Sequence, residues 1–323
     1  MHPLRGISGF IIRRVALGLL TLFVVSVIIF GATQALPSDP ARAILGRNAT
    51  PASLAALRQQ LGLNRPVLDQ YWSWLSGLLH GDLGTSLAAS LPVSTLIHDP
   101  VLNSAFLVLC AAMVSIPIAI GVGIWAAIHR DKVFDSTSSL LMLGLAALPE
   151  FVIGITLVIL FGTVVFQWLP PTVILAPGQK PWTDMKQLIL PIATLAIVVV
   201  PYIARFMRAS MIEVLESDYV EMARLKGLQE RKVVLRHALP NAIVPTIQAI
   251  ALSLAYLAGG IVAVEFVFNY PGIGARLVDA VSNRDMPVAQ AISLLIASVY
   301  IFVNVAADVL SILVSPRVRT SLK

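Results

Sequence analysis

Ser217-Asp-Tyr-Val-Glu-Met-Ala-Arg-Leu-Lys-Gly-Leu-Gln-Glu-Arg-Lys-Val-Val-Leu-Arg-His-Ala-Leu-Pro-Asn241 is the stretch whose reading decides the fold. It is rich in charge, yet it lies between two uncharged runs, Leu188–Ala204 and Ala242–Val264. A link this long and this ordered is more than a simple hairpin between two apolar helices requires. Ser217 to Leu225 reads as a helix. Asp218 caps it or sits in its first turn, and Tyr219, Met222, Ala223 and Lys226 recur at three- and four-residue spacing. Gly227 supplies the left-handed position that ends one helix and lets a second leave at an angle. The second, capped at Gln229, carries Val233, Val234 and Ala238 and stops at Pro240. A helix–glycine–helix elbow between apolar runs is a docking device. A basic loop that only sets topology is the alternative reading.

Working outward, 57% of the 323 residues are hydrophobic and only 12% are charged. A soluble domain of this length has no use for so much apolar surface, so the class is an all-α polytopic membrane protein. One cysteine, Cys110, sits in an apolar run; it excludes a disulfide framework and reads as a small packing residue.

Six spans are drawn: Val15–Thr33, Asn103–Ile128, Leu140–Gln167, Leu188–Ala204, Ala242–Val264 and Val288–Val314. The third is long enough to require tilt or a projecting end. An even number puts both termini on one side. That side holds Arg5, Arg13, Arg14, Arg130, Lys132, Arg205, Arg208, the cations of the elbow, and Arg317, Arg319 and Lys323. The other holds Arg42, Arg47, Arg58, Arg65, Lys180, Lys186, Arg276 and Arg284, the first four of them in a long loop where the charge rule weakens. The bias puts the termini and the elbow in the cytoplasm. The net charge of +6 is thereby accounted for as topology, and no nucleic-acid footprint is needed. Arg13-Arg14 ahead of the first run could introduce a signal peptide. The apolar core is too long for one, and the run reads as a retained helix.

The loop from Leu36 to Pro100 reads as ordered. Thr50-Pro51 caps a helix over Ala52–Leu61 that Gly62 ends. Pro66 opens an amphipathic segment whose Tyr71, Trp72 and Trp74 suit the headgroup zone. Near the other end, Pro271-Gly272 makes a turn, Gly274 permits a sharp exit, and Ala275–Val281 forms a short helix with an apolar face of Leu277, Val278 and Val281.

Several ordered motifs carry a resemblance. Glu221-Met-Ala223, Gly227 and His237-Ala-Leu-Pro240 resemble the cytoplasmic EAA loop of permeases in ABC-type importers, with Met222 and His237 departing from its usual residues. Leu36-Pro-Ser-Asp-Pro40, Leu61-Gly-Leu-Asn-Arg-Pro66, Gly81-Asp-Leu-Gly-Thr-Ser86, Arg236-His-Ala-Leu-Pro-Asn241 and Glu265-Phe-Val-Phe-Asn-Tyr-Pro-Gly-Ile-Gly274 are similar to first-subunit permeases of dipeptide and oligopeptide importers. The resemblance implies the type I importer permease fold: residues 1–100 as the first helix with an extracytoplasmic loop, and 101–323 as a five-helix core holding the coupling loop at 211–241. It implies a homologous second permease, two cytoplasmic ATPases or one fused ATPase, an extracytoplasmic binding protein and a peptide substrate. Nickel or another small solute is the alternative cargo. ATP and magnesium would sit on the partner subunits, and this chain would bind no cofactor or metal. In the elbow, Tyr219, Glu221, Met222, Ala223, Arg224, Lys226, Gly227 and Leu228 would serve the ATPase, with Glu221 and Arg224 as polar contacts, Ala223 allowing close approach and Gly227 as the hinge turn. Asn269, Pro271, Gly272 and Gly274 would face the binding protein.

The polar groups inside the spans are few. Glu150 follows Pro149 in the third span, where a carboxylate costs on the order of 2–3 kcal/mol at the helix centre unless paired, protonated or wet. Pro149 leaves the carbonyl of Leu145 without its helical donor and marks a kink. Glu150 and Pro149 are therefore candidates for the translocation path, against an internal pair as the plainer reading. Asp308 is close enough to a helix end to pair with a basic residue, Glu265 reads as solvated, and Gly259-Gly260 as a site of close helix packing. No Gly-x-x-x-x-Gly-Lys-Ser/Thr or His-Glu-x-x-His occurs, so an enzymatic reading finds no support. An ion-coupled secondary transporter is the rival class; it calls for mid-depth carboxylates, of which only Glu150 qualifies, and for no elbow.

Overall fold

The computed structural model describes residues 4–35, 40–45, 49–60, 62–175 and 178–314. Leu36, Pro37, Ser38, Asp39, Arg47, Leu61, Arg317, Arg319 and Lys323, singled out above, lie outside them. The described residues form helices: α1 (Leu4–Ala35), α2 (Pro40–Leu45), α3 (Pro51–Gln60), α4 (Val67–Leu79), α5 (Val93–Ile128), α6 (Val133–Ala146), α7 (Glu150–Leu157), α8 (Ile189–Leu215), α9 (Asp218–Leu225), α10 (Glu230–Lys232), α11 (Leu239–Val267), α12 (Ile273–Ser282) and α13 (Met286–Val314). Their only β-type pairing is one isolated bridge, Thr85 with Pro92.

Five of these stretches are long and apolar enough to cross a bilayer: Gly9–Ala35, Val93–Ile128, Met185–Leu215, Glu230–Leu257 and Met286–Val309. The sixth candidate is a bent pair, Val133–Ala146 followed by Glu150–Thr163, with 104° between its halves. The single span expected over Leu140–Gln167 is thus corrected to a broken one. Proline explains the break. Pro149 has no N–H to continue α6, and its backbone is extended at ψ 145°, so the chain turns before α7 starts. The carbonyl of Leu145 lacks its α-helical donor at Pro149, as expected, and accepts the Leu148 N–H at 3.2 Å instead. Pro149 in turn offers its carbonyl to the N–H groups of Val152 and Ile153, at 3.0 and 3.3 Å.

The chain divides into two compact units interleaved in sequence. One takes the described residues of 1–18, 106–270 and 300–323, and the other those of 19–105 and 271–299. The boundary expected near residue 100 falls inside the continuous helix α5.

In the first unit, Leu190, Leu195, Val199 and Ile203 of α8 pack with Leu257, Ile261 and Val264 of α11, and Leu107 and Ala111 of α5 join them. Cys110 is buried, as a packing residue should be. A close helix approach is at Gly123, where an added Cβ would lie 2.7 Å from the carbonyl oxygen of Ala204 and from Cβ of Met207. Gly259, expected to serve this purpose, has nothing within 4 Å of where a Cβ would stand. Asp308 pairs with Arg14 at 3.3 Å, the basic partner its position called for. Glu265 is fully buried and not solvated. Asn269 takes a left-handed φ of 51°, which folds Tyr270 back so that its N–H reaches the Glu265 carbonyl at 2.8 Å. Burial raises the Tyr270 phenol, the nearby Glu265 charge adds to this, and the ring stays neutral.

In the second unit, Thr50 caps α3 through Oγ1, which accepts the Ser53 N–H at 3.2 Å. Tyr71, expected at the headgroups, is buried instead. Its hydroxyl lies 2.8 Å from Ser26 Oγ, and Phe30 and Trp74 surround the ring, while Trp72 stays exposed. The Gly81–Ser86 motif is a turn tethered by buried Asp285, whose carboxylate accepts Ser86 Oγ and, at 3.0 Å, the Leu87 N–H. Helix α12 buries Ile273, Gly274 and Ala280, with Leu277 beside them; Val281, placed on the apolar face from sequence, is exposed.

Glycine at 123 has no room for a side chain, whereas position 259 does. Gly123→Val should destabilise the protein by about 1–3 kcal/mol, as overpacking does, and Gly259→Ala should leave it within error. Thermal unfolding in detergent measures both; equal shifts for the two variants would refute this assignment of the close contact.

Candidate functional site

Helix α8 runs on through buried Pro201 to Leu215, and the elbow follows it. Ser217 then takes an extended conformation, its Oγ donating to the Val214 carbonyl at 2.5 Å, and α9 starts with Asp218 in its first turn. Gly227 ends α9 in the left-handed conformation at φ 74°. Its N–H bonds the Arg224 carbonyl at 2.9 Å, and the Leu228 N–H reaches the Ala223 carbonyl at 3.4 Å. This pair of bonds is a Schellman closure, which satisfies the last carbonyls of the helix and turns the chain sharply.

The next helix starts from backbone bonds alone. The Gln229 carbonyl accepts from Lys232 and Val233 at 2.8 and 3.0 Å, and the Gln229 side chain makes no capping bond. It does not stop at Pro240. A π-helical turn over Val233–Ala238 carries α10 directly into α11. The wider turn resets the hydrogen-bond register, so Pro240 enters at the first positions of a new α-helical segment, where a missing N–H costs least.

Two faces of α9 separate cleanly. Val220 and Ala223 point inward and pack with Met207 and Met211 of α8 and with Val233, Val234 and Ala238. Of the residues at that spacing only Ala223 is buried, with Val220 beside it, and Tyr219, Met222 and Lys226 face out. Ala223, taken as the point of close approach for a partner, is 6% exposed and belongs to the elbow's own core. Arg224, expected as a partner contact, is exposed and at the same time bonded within the elbow. Its Nη2 and Nε bond both oxygens of Glu230 at 2.8 and 3.1 Å, and its Nη1 bonds the Leu215 carbonyl at 3.2 Å. Outward there remain Tyr219, Glu221, Met222, Leu225, Lys226 and Leu228, all exposed. Leu225 is the most open of the apolar ones, at 74%, and it falls outside the three- and four-residue spacing that links Tyr219, Met222, Ala223 and Lys226.

The elbow is tied to the helices it extends. Arg130, just past α5, pairs through Nη1 with Glu216 at the entry to the elbow. Arg208 of α8 donates from Nε and Nη2 to the two oxygens of Asp135 at 2.5 and 2.6 Å, and Asp135 also accepts the Asp131 N–H at 3.0 Å. This bidentate, nearly enclosed pair joins the first turn of α6 to α8 two turns before the elbow. Sequence reading saw Arg208 only as a topology charge. Nothing in the linear pattern pairs it with a residue 73 positions earlier.

At the other end of α6, Pro149 is exposed and Glu150 half-buried, and Glu150 Oε2 accepts from the Tyr256 hydroxyl at 3.2 Å. Tyr256 also lines a cavity of about 480 Å³ beside the break. The group read as facing a binding protein divides. Asn269 and Pro271 are exposed; Gly272 and Gly274 are buried. The latter two shape a turn that α5 holds, Asn103 Nδ2 donating to the Pro271 carbonyl at 2.8 Å and Ser104 Oγ accepting the Ile273 N–H at 2.7 Å.

Membrane-length helices, one broken at a proline, with an ordered polar elbow between two of them define a polytopic transport subunit. Residues 119–320 match the family of binding-protein-dependent transport system inner membrane components, and residues 7–106 match the N-terminal region of such membrane components. The chain belongs to this family. It is 38% identical over 312 residues, 96% of this chain and 99% of the relative, to the glutathione transport system permease protein GsiC of Escherichia coli strain K12. The same figures hold for those of Shigella flexneri serotype 5b (strain 8401) and Salmonella choleraesuis (strain SC-B67). The protein is therefore a multi-pass membrane permease, not an enzyme, that works with a substrate-binding protein and ATPase subunits.

Valine at 227 would force a β-branched side chain into the left-handed region, at about 1–2 kcal/mol, and open the Schellman closure. Gly227→Val should lower transport at least tenfold with normal amounts of the subunit in the membrane. Transport at the wild-type rate would exclude the elbow turn from coupling.

Proposed function

We propose that this chain is the first permease subunit of an ATP-driven importer of di- and oligopeptides, with its termini and elbow in the cytoplasm. The observation that carries the reading is the outward face of α9. Tyr219, Met222 and Leu225 expose apolar surface around Glu221 and Lys226, in a polar segment between two membrane-length stretches, while the opposite face is already packed. A short amphipathic helix with one free face fits a groove on another protein. Its partner is an ATPase subunit, which binds ATP and magnesium; this chain holds neither. Family membership removes the ion-coupled alternative. Likeness over nearly the full length to permeases of a glutathione transport system supports a peptide-like cargo.

In this mechanism ATP binding closes two ATPase subunits, or the halves of one fused subunit, and α9 moves with them. Arg224–Glu230 keeps the elbow stiff, and Arg130–Glu216 and Asp135–Arg208 pass its motion to α5, α8 and α6. The chain and a homologous second permease then exchange inward- and outward-open states whose populations nucleotide shifts. Asn269 and Pro271 face the extracytoplasmic binding protein, and the break at Pro149 with Glu150 borders the path of the solute.

Two experiments test this. Purification in mild detergent from the native membrane should recover ATPase subunits and a second permease by mass spectrometry; their absence, where a known importer stays intact, would sink the proposal. Glu150→Gln should slow peptide import several-fold, and unchanged import of charged and neutral peptides alike would remove Glu150 from the path.

A further inference from the structure

Arg205 lies in α8, three residues after Tyr202 and on the same face of a stretch apolar enough to cross a bilayer. Together with Tyr202, Tyr256 and Tyr300 it lines the cavity of about 480 Å³ beside the break between α6 and α7. The volume falls in the range of small-ligand sites. Arg208, one turn further on, shares both oxygens of Asp135. Arg205 differs: among the described residues it makes no ion pair and no hydrogen bond. Arg205 is exposed, one residue past the uncharged run Leu188–Ala204, and a cation there that faces a cavity without a partner belongs to a solute path.

The other linings say what kind of ligand would satisfy it. Tyr202, Tyr256 and Tyr300 are each between 39% and 51% exposed, so three phenol rings present both an apolar flank and a hydroxyl to the space. Rings of this kind pack against a peptide chain with little loss of side-chain freedom while their hydroxyls serve its amides. The planar fork of arginine matches a carboxylate with two parallel bonds. An acid stands close by as well, since the Tyr256 hydroxyl bonds Glu150 Oε2 at 3.2 Å. The cavity thus has a cation in its wall and an anion one hydrogen bond behind one of its tyrosines. That is the charge pattern of a zwitterion turned inside out.

We propose that Arg205 is a carboxylate subsite of the translocation cavity, taking the free C-terminal carboxylate of a two- or three-residue peptide. The three tyrosines flank the peptide backbone, and Glu150, reached past Tyr256, faces its ammonium end. The assignment rests on the peptide-importer reading above and adds to it a site inside the permease, separate from selection by the binding protein. A carboxylate of the second permease subunit is the competing partner for Arg205, and the test separates the two.

The experiment uses the whole complex, with its ATPases, second permease and binding protein, in liposomes. The probe is a tripeptide with benzoylphenylalanine at its first position and a free C-terminus. On illumination without nucleotide, adducts should form in segments 198–205 and 252–256 of this chain. Arg205→Gln should reduce those adducts about tenfold and lower maximal tripeptide import by a similar factor. The half-saturating concentration, set by the binding protein, should not move. Arg205→Lys, which keeps the charge and loses the fork, should fall between. Wild-type adducts and import in the Gln variant would overturn the subsite. So would loss of the second permease from the purified Gln variant, the mark of a subunit ion pair. A wild-type complex that imports no tripeptide would instead fail the peptide reading itself, and the subsite with it.

Discussion

A bilayer offers no water to a peptide group, so each N–H and C=O within it must find a partner in the protein. The irregular places in this chain answer to that demand. Pro149 breaks the sixth candidate span by 104°, yet the Leu145 carbonyl takes the Leu148 N–H and the Pro149 carbonyl starts the next helix. Pro240 meets the same demand differently. There the helix widens into a π turn over Val233–Ala238 and continues, so an element that looked like a terminus is a passage. The two prolines diverge because of what surrounds them. The residues before Pro149 end in a tight turn, whereas Val233, Val234 and Ala238 are already anchored in a packed cluster that holds the helix on course.

Charge plays the second structural part. Arg14–Asp308, Arg130–Glu216, Asp135–Arg208 and Arg224–Glu230 all lie at helix ends or in the elbow. Exposed pairs of this type add about 0–1 kcal/mol each, so their value is geometric. The exception is Asp135, 3% exposed and satisfied by a bidentate guanidinium. Breaking such a pair strands a buried charge at about 3–5 kcal/mol, so it ties the first turn of α6 to α8. The elbow follows α8 and packs against it. Its inner face is closed by Val220 and Ala223, and its outer face remains free for a partner.

Much was legible in the linear pattern, because it depends on local chemistry. Composition placed the chain in a membrane, apolar runs located the spans, and Gly227 marked the turn that its φ of 74° bears out. Thr50 capped α3 for an equally local reason: it needs only a neighbour in the same helix. The family itself followed from ordered motifs spread over the whole chain.

What the tertiary structure alone decided concerns which side of each element faces inward and which distant residues meet. Periodicity at three and four residues gave α9 an apolar stripe, but Val220 and Ala223 won the interior because Val233 and Val234 fold back on them. Gly123 became a point of close approach and Gly259 did not, since only the former faces a neighbouring backbone. Glu265 and Tyr71 looked fit for water or headgroups and are buried, one at a chain reversal and the other among rings. Asp135 with Arg208, and Glu150 with Tyr256, pair residues more than seventy positions apart. Spacing along the chain reports what one helix can do by itself; packing between helices chooses among those possibilities, and here that choice fell to three-dimensional contact.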